Sequence, residues 1–156
     1  MSGFIRAVAL DLDGTLTQGD GLSEAAMSAV DQIRDDGLSA VLVTGRILNE
    51  LEEAFPGLAD RFDAVVAESG AVLALNDEVR DLAEPVEETL TAALAERGVT
   101  VRRGRVLLAG DTPDIQAAVA AVGALGLDCQ IVRNREALMI LPAGVSKGTG
   151  LLAALD

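Results

Sequence analysis

Apolar residues dominate Ile5-Arg6-Ala7-Val8-Ala9-Leu10 and stop at Asp11. A short apolar run bounded by turn formers reads as a buried strand, and Asp11-Leu12-Asp13-Gly14-Thr15 is the turn that ends it. The period then changes. Between Ser23 and Asp36, Ala26, Met27, Val30 and Ile33 share one helical face, with Ser23 placed to cap the start and Gly37 the end. Ala40–Val43 is a second apolar strand, followed by Thr44-Gly45-Arg46 and a helix over Leu48–Ala54 closed by Pro56-Gly57. Ala64–Ala67 is a third, running into Glu68-Ser69-Gly70, which reads as a turn.

Strands alternating with helices predict an α/β fold with a parallel sheet covered on both faces. Such sheets bind ligands beyond the carboxyl ends of their strands, so Asp11, Asp13, Thr44 and Glu68 should converge on one edge. From Ala71 the pattern differs. Ala71–Leu75 and Glu78–Asp81 flank a hairpin-like Asn76-Asp77. A helix over Pro85–Arg97, a strand over Arg105–Ala109 and a helix over Pro113–Leu125 capped by Thr112 follow. Gln130–Arg133 and Ala137–Leu141 then read as strands joined at Asn134-Arg135, before Pro142-Ala143-Gly144 opens a last helix near Lys147. The expected organisation is a core over 1–75, an α+β insertion over 76–141 and a return to the core over 142–156.

Composition narrows the chemistry. Half the chain is hydrophobic, but it holds three Phe and no Trp or Tyr, so the core is aliphatic. A net charge of −13 argues against holding a nucleic-acid backbone or an anionic membrane nonspecifically. A phosphorylated metabolite remains accessible, given a cation and a few donors. Cys129 is the only cysteine, which excludes intrachain disulfides and cysteine-rich metal sites. With no signal-peptide pattern and no run near the ~20 apolar residues of a membrane span, a soluble cytoplasmic protein is expected.

The absence of histidine excludes Ser-His-Asp and Cys-His catalysis within the chain. Gly144-Val145-Ser146-Lys147-Gly148 fits the G-x-S-x-G nucleophile elbow by letter, yet it has no histidine to serve it. Acid–base work falls to carboxylates, to Lys147 (the single lysine), to Cys129 or to water.

Three segments carry a family resemblance. Asp11-Leu12-Asp13-Gly14-Thr15, preceded by its apolar strand, resembles the D-x-D-G-T motif of the haloacid dehalogenase (HAD) superfamily. Val41-Leu42-Val43-Thr44-Gly45-Arg46 resembles its second motif, in the form common to the branch with a large cap after the third strand. Pro142-Ala143-Gly144-Val145-Ser146-Lys147-Gly148 resembles that branch's third motif, where a lysine opens a helix. Singly, the first is a common turn and the second a common helix cap. All three occur in the family's order.

The resemblance implies a parallel Rossmann-like core with an inserted cap, and Mg²⁺-dependent hydrolysis of a small phosphomonoester, a sugar phosphate or phosphoglycolate. Asp11 would be the nucleophile that forms an aspartyl-phosphate, and Asp13 the general acid and base. Thr44 and Gly45 would bind phosphate with Lys147, which would also restrain the charge of Asp11; Arg46 would either touch substrate or simply pair on the surface. Asp11 and Asp13 would hold Mg²⁺, which prefers hard oxygen ligands.

Gly110-Asp111-Thr112-Pro113-Asp114 resembles the family's fourth motif, whose acids complete the metal site, but it precedes the only lysine, out of family order. It is therefore read as a helix-start turn in the cap, with Asp111 and Asp114 as reserve metal ligands. The fourth motif and the last core strands are then missing, which would leave the first strand at an open edge. Such an edge invites self-association or a complementing C-terminal segment. The rival readings are a noncatalytic binding or regulatory module of the same shape, and a phosphotransferase or mutase on the same site.

Overall fold

A computed structural model describes residues 4–134 and 136–156. Arg135, half of the anticipated Asn134-Arg135 turn, lies outside the described residues. Strand β1 (Ala7–Asp11) is followed by a two-residue ribbon, β2 (Thr17–Gln18) and β3 (Gly21–Leu22), which the apolar pattern does not announce. Helix α1 (Glu24–Asp35), β4 (Ser39–Val43), α2 (Leu48–Ala54) and β5 (Ala64–Ala67) come next, then a 3-10 turn at Glu68–Gly70. β6 (Val72–Leu75), β7 (Glu78–Asp81), α3 (Glu88–Glu96), β8 (Arg102–Arg103) and β9 (Leu108–Asp111) continue the chain. It closes with α4 (Ile115–Leu125), β10 (Cys129–Asn134), β11 (Ala137–Pro142) and α5 (Lys147–Leu155).

The first sheet has the order β1-β4-β5-β6-β7. β1, β4 and β5 are parallel, with Asp11 beside Val43 and Val43 beside Val66, so the ends that carry the motifs are level. Side chains alternate across this sheet, as strand geometry requires. Leu42, Val65 and Val72 face Met27, Val30 and Leu51 of α1 and α2. Val41, Val43, Val66 and Leu73 face Leu151 and Ala154 of α5. Both faces are thus covered, as the strand–helix alternation predicts.

The second sheet, β10-β11-β9-β8, is antiparallel throughout. Leu108, Leu138 and Ile140 pack on Leu90 and Leu94 of α3 and on Ala118 and Ala121 of α4. Its other face, with Ala109, Met139 and Leu141, packs on Ile47 at the start of α2. The second sheet therefore lies over the motif-bearing edge of the first.

Several elements differ from the sequence expectation for identifiable reasons. Asn76 and Asp77 take φ of +52° and +62°, the signature of a type I′ hairpin turn. The turn folds β7 back onto β6, so the first sheet runs past the boundary anticipated at residue 75/76. The helix expected from Pro85 begins at Glu88, because the Val86 N–H is used on the Val106 carbonyl (2.9 Å). The strand expected from Arg105 begins at Leu108, because the N–H groups of Arg105, Val106 and Leu107 go to the Glu68 carboxylate. Thr112 starts a 3-10 turn through Asp114 rather than capping α4 directly. As anticipated, β1 is an edge strand, paired only with β4 among the described residues, and Phe4 and Ile5 ahead of it are 89% and 74% exposed. No helix among the described residues is long and apolar enough to cross a membrane.

Candidate active site

Asp11 is the last residue of β1, and Leu12 behind it is fully buried, so the carboxylate leaves the sheet at a fixed point. The carbonyl of Leu12 accepts the N–H groups of Thr15 (3.2 Å), Leu16 (2.9 Å) and Thr17 (3.2 Å), closing the turn that holds Asp13 beside Asp11. At the other end of the chain, Ser146 caps α5 in a capping box with Thr149. Lys147, the first residue of that helix, donates from Nζ to Asp11 Oδ1 at 2.9 Å.

The seating of α5 depends on two glycines. A Cβ on Gly70 would run into the Ser146 carbonyl, and one on Gly150 would meet Gly70 Cα and Val66 Cγ1, each at 2.6 Å. Backbone thus lies on backbone, which brings the lysine within reach of Asp11.

Asp13 is held by Arg46, whose Nη2 and Nε donate to its two oxygens at 2.7 and 3.1 Å. That bidentate bond raises the Arg46 pKa against the opposing effect of burial, so the guanidinium stays charged. Arg46 also stacks over the Phe55 ring, 5.3 Å from its centroid.

Thr44 is fully buried, and its Oγ1 accepts the Arg46 N–H at 3.1 Å. The hydroxyl shapes the loop from beneath, and Gly45 and Arg46 are the residues of that loop that line the cleft. The cleft, of about 680 Å³, lies between the two sheets and takes in Asp11, Asp13 and Lys147 below. Above, it meets Ala109, Asn134, Glu136 and Met139 of the second sheet and its hairpin. At its mouth Arg102 pairs with Glu50, joining β8 to α2.

The structure therefore brings Asp11, Asp13, Gly45, Arg46 and Lys147 together and sets Thr44 directly under them. Asp111 and Asp114 do not join them. Asp111 ends β9 in the second sheet, and the described residues contain no group of three or more acidic, Cys or His side chains able to hold a metal. Asp11 and Asp13 alone still fit Mg²⁺, which one or two carboxylates commonly hold along with water and substrate phosphate. Asn134, Glu136, Met139, Arg102 and Glu50 were not singled out by sequence. Their only signal is their place in strand and helix patterns, and it becomes meaningful once the second sheet is seen to face the first.

A family model described as haloacid dehalogenase-like hydrolase matches residues 8–100. A phosphoglycolate phosphatase of Methanothermobacter thermautotrophicus is 32% identical over 158 residues, covering 97% of this chain and 71% of the relative. One of Halorubrum lacusprofundi is 31% identical over 156 residues, covering 92% and 67%. The solved structure of Thermoplasma acidophilum 0175 superposes with a TM-score of 0.74 at 19% identity, covering 97% of this chain and 71% of that one. This chain belongs to the haloacid dehalogenase-like hydrolase family.

Proposed function

We propose that this chain is a Mg²⁺-dependent phosphatase that hydrolyses a small phosphomonoester, of the phosphoglycolate kind, through an aspartyl-phosphate on Asp11. The observation that carries the reading is the Lys147–Asp11 contact of 2.9 Å at the carboxyl edge of a parallel sheet. An oxygen of Asp11 attacks phosphorus, and the bond to the ester oxygen breaks as the new P–O bond forms. Asp13, protonated once Arg46 has released it, gives that proton to the departing oxygen. It then takes one from the water that attacks the acyl phosphate, which releases orthophosphate and restores Asp11.

Lys147 offsets charge on the phosphoryl oxygens. Mg²⁺ held by Asp11 and Asp13 would supply further neutralisation of phosphate charge. Arg46 must release at least one Asp13 oxygen before proton transfer, and the anionic substrate offers that guanidinium a competing partner. Identities of 32% and 31% to two phosphoglycolate phosphatases support a small phosphorylated acid as the substrate.

The test is orthophosphate release from an aryl phosphate and from phosphoglycolate, with Mg²⁺ or with EDTA, for the wild-type chain and for Asp11→Asn. Metal-dependent release that is lost in the variant is expected. Turnover that survives Asp11→Asn would overturn the mechanism, and transfer to an acceptor without orthophosphate release would make the chain a phosphotransferase.

A further inference from the structure

Glu68 is the one ionisable side chain in the buried class among the described residues, and it has no part in the chemistry above. Its Oε1 accepts the Arg105 N–H at 2.9 Å, and its Oε2 accepts those of Val106 (2.9 Å) and Leu107 (3.1 Å). Three consecutive backbone donors converge on one carboxylate, an arrangement suited to a charge removed from water. Gly104 completes it, since a Cβ there would lie 2.5 Å from Glu68 Oε2.

The two partners belong to different layers. Glu68 follows β5 of the first sheet, and its N–H donates to the Arg46 carbonyl at 3.0 Å. Residues 105–107 lead directly into β9, which pairs with β11 and so carries Ala109 and Met139 over the cleft. Glu68 and Ser69 both hold positive φ, +51° and +57°, a conformation that non-glycine residues keep only when their surroundings enforce it. The other charged ties between the layers, Arg102–Glu50 and Arg105–Asp81, are solvent-exposed and weak by comparison.

We propose that Glu68 is a positioning residue: by binding the N–H groups of 105–107 on its buried carboxylate, it fixes the second sheet over Asp11 at the height that the substrate's leaving group requires. The effect on turnover rests on the phosphatase reading above; the clamp itself does not. Gln at this position keeps the shape but turns an amide N–H toward at least one backbone N–H, so part of the clamp is lost.

Glu68→Gln and Glu68→Ala, compared with the wild-type chain, test the proposal. For folded Glu68→Gln, KM for phosphoglycolate should rise about tenfold with kcat much less affected, the pattern of lost uniform binding. Inhibition by inorganic phosphate, expected to engage the Asp11–Lys147 end of the cleft, should stay the same. Amide hydrogen exchange at 105–107 and along β9 should accelerate while β4 stays protected.

A purely structural role would instead lower the folded fraction and the apparent kcat, leaving KM and the pattern of exchange unchanged, and that result would overturn the proposal. Glu68→Ala is expected to move the same quantities further; if it fails to fold, Glu68→Gln alone decides. If the wild-type chain turns over no phosphomonoester, the phosphatase reading fails, and the exchange measurement still decides whether Glu68 is the clamp.

Discussion

The five-stranded sheet brings Asp11, Thr44 and, through α5, Lys147 to one edge by aligning strand ends, whereas the four-stranded sheet presents Ala109 and Met139 from strand interiors and Asn134 and Glu136 from a hairpin. In the first sheet reactive groups sit where strands stop, and their places follow from the parallel register. In the second the cleft-facing residues alternate with Leu138 and Ile140, which pack on α3 and α4. One sheet supplies the charged groups at the floor of the cleft, and the other covers them. Substitutions in the two sheets should accordingly separate into effects on kcat and effects on KM or stability.

The sharpest separation is expected at the lysine. Lys147→Ala should lower kcat by roughly 10²–10³-fold, the usual cost of removing one donor to developing charge, with little change in unfolding midpoint because the side chain is partly exposed. Steady-state kinetics beside a denaturant curve would show it. An equal loss in KM alone would erase the distinction between the sheets.

Leu90→Ala should act in the opposite way. Leu90 is fully buried between α3 and the second sheet, and such truncations cost about 2–5 kcal/mol. Urea unfolding should register that loss, while kcat of the remaining folded protein holds.

Arg102→Ala removes a half-exposed pair with Glu50 and should cost less than about 1 kcal/mol. Because Arg102 stands at the mouth of the cleft, its KM should still move, and the shift should shrink at high salt.

The smallest effect concerns Cys129. Burial, helped by Asp128 and Glu87, pushes its thiol pKa up. A raised pKa leaves less thiolate at any given pH, so alkylation should be slower than for a free thiol at pH 7–8 and should accelerate only at higher pH. Rapid labelling at neutral pH in the folded state would contradict this.

The same contrast explains what could be read from the chain. Asp11, Asp13 and Thr44 were legible because each follows an apolar strand, and level strand ends gather them; Lys147 was legible through its resemblance to the family's third motif, and its reach to Asp11 depends on the packing of α5. α1, α2 and β5 were legible through period and caps, Ser23 accepting the Ala26 N–H at 3.3 Å as its position suggests. Glu68 was read as a turn residue at the ligand-binding edge, and its carboxylate instead turns to backbone amides 37 to 39 residues away, which leave no trace in side-chain identity. The same bonds shift β9 toward the C-terminus of its apolar run. Arg46 was placed near substrate, but its grip on Asp13 depends on a loop geometry that no local pattern encodes.

The contact between Lys147 and Asp11 spans 136 residues of chain. Ribosomes deliver the N-terminal part first, at roughly 5–20 residues per second. Asp11 is therefore synthesised while Lys147, its partner cation, has yet to be made. Until α5 settles on the glycine-lined turn after β5, a nascent chain exposes a lone carboxylate at the end of an ordered strand. The pairing of Lys147 with Asp11 therefore waits on the docking of α5, and its sequence separation makes it one of the slow, nonlocal contacts of the fold.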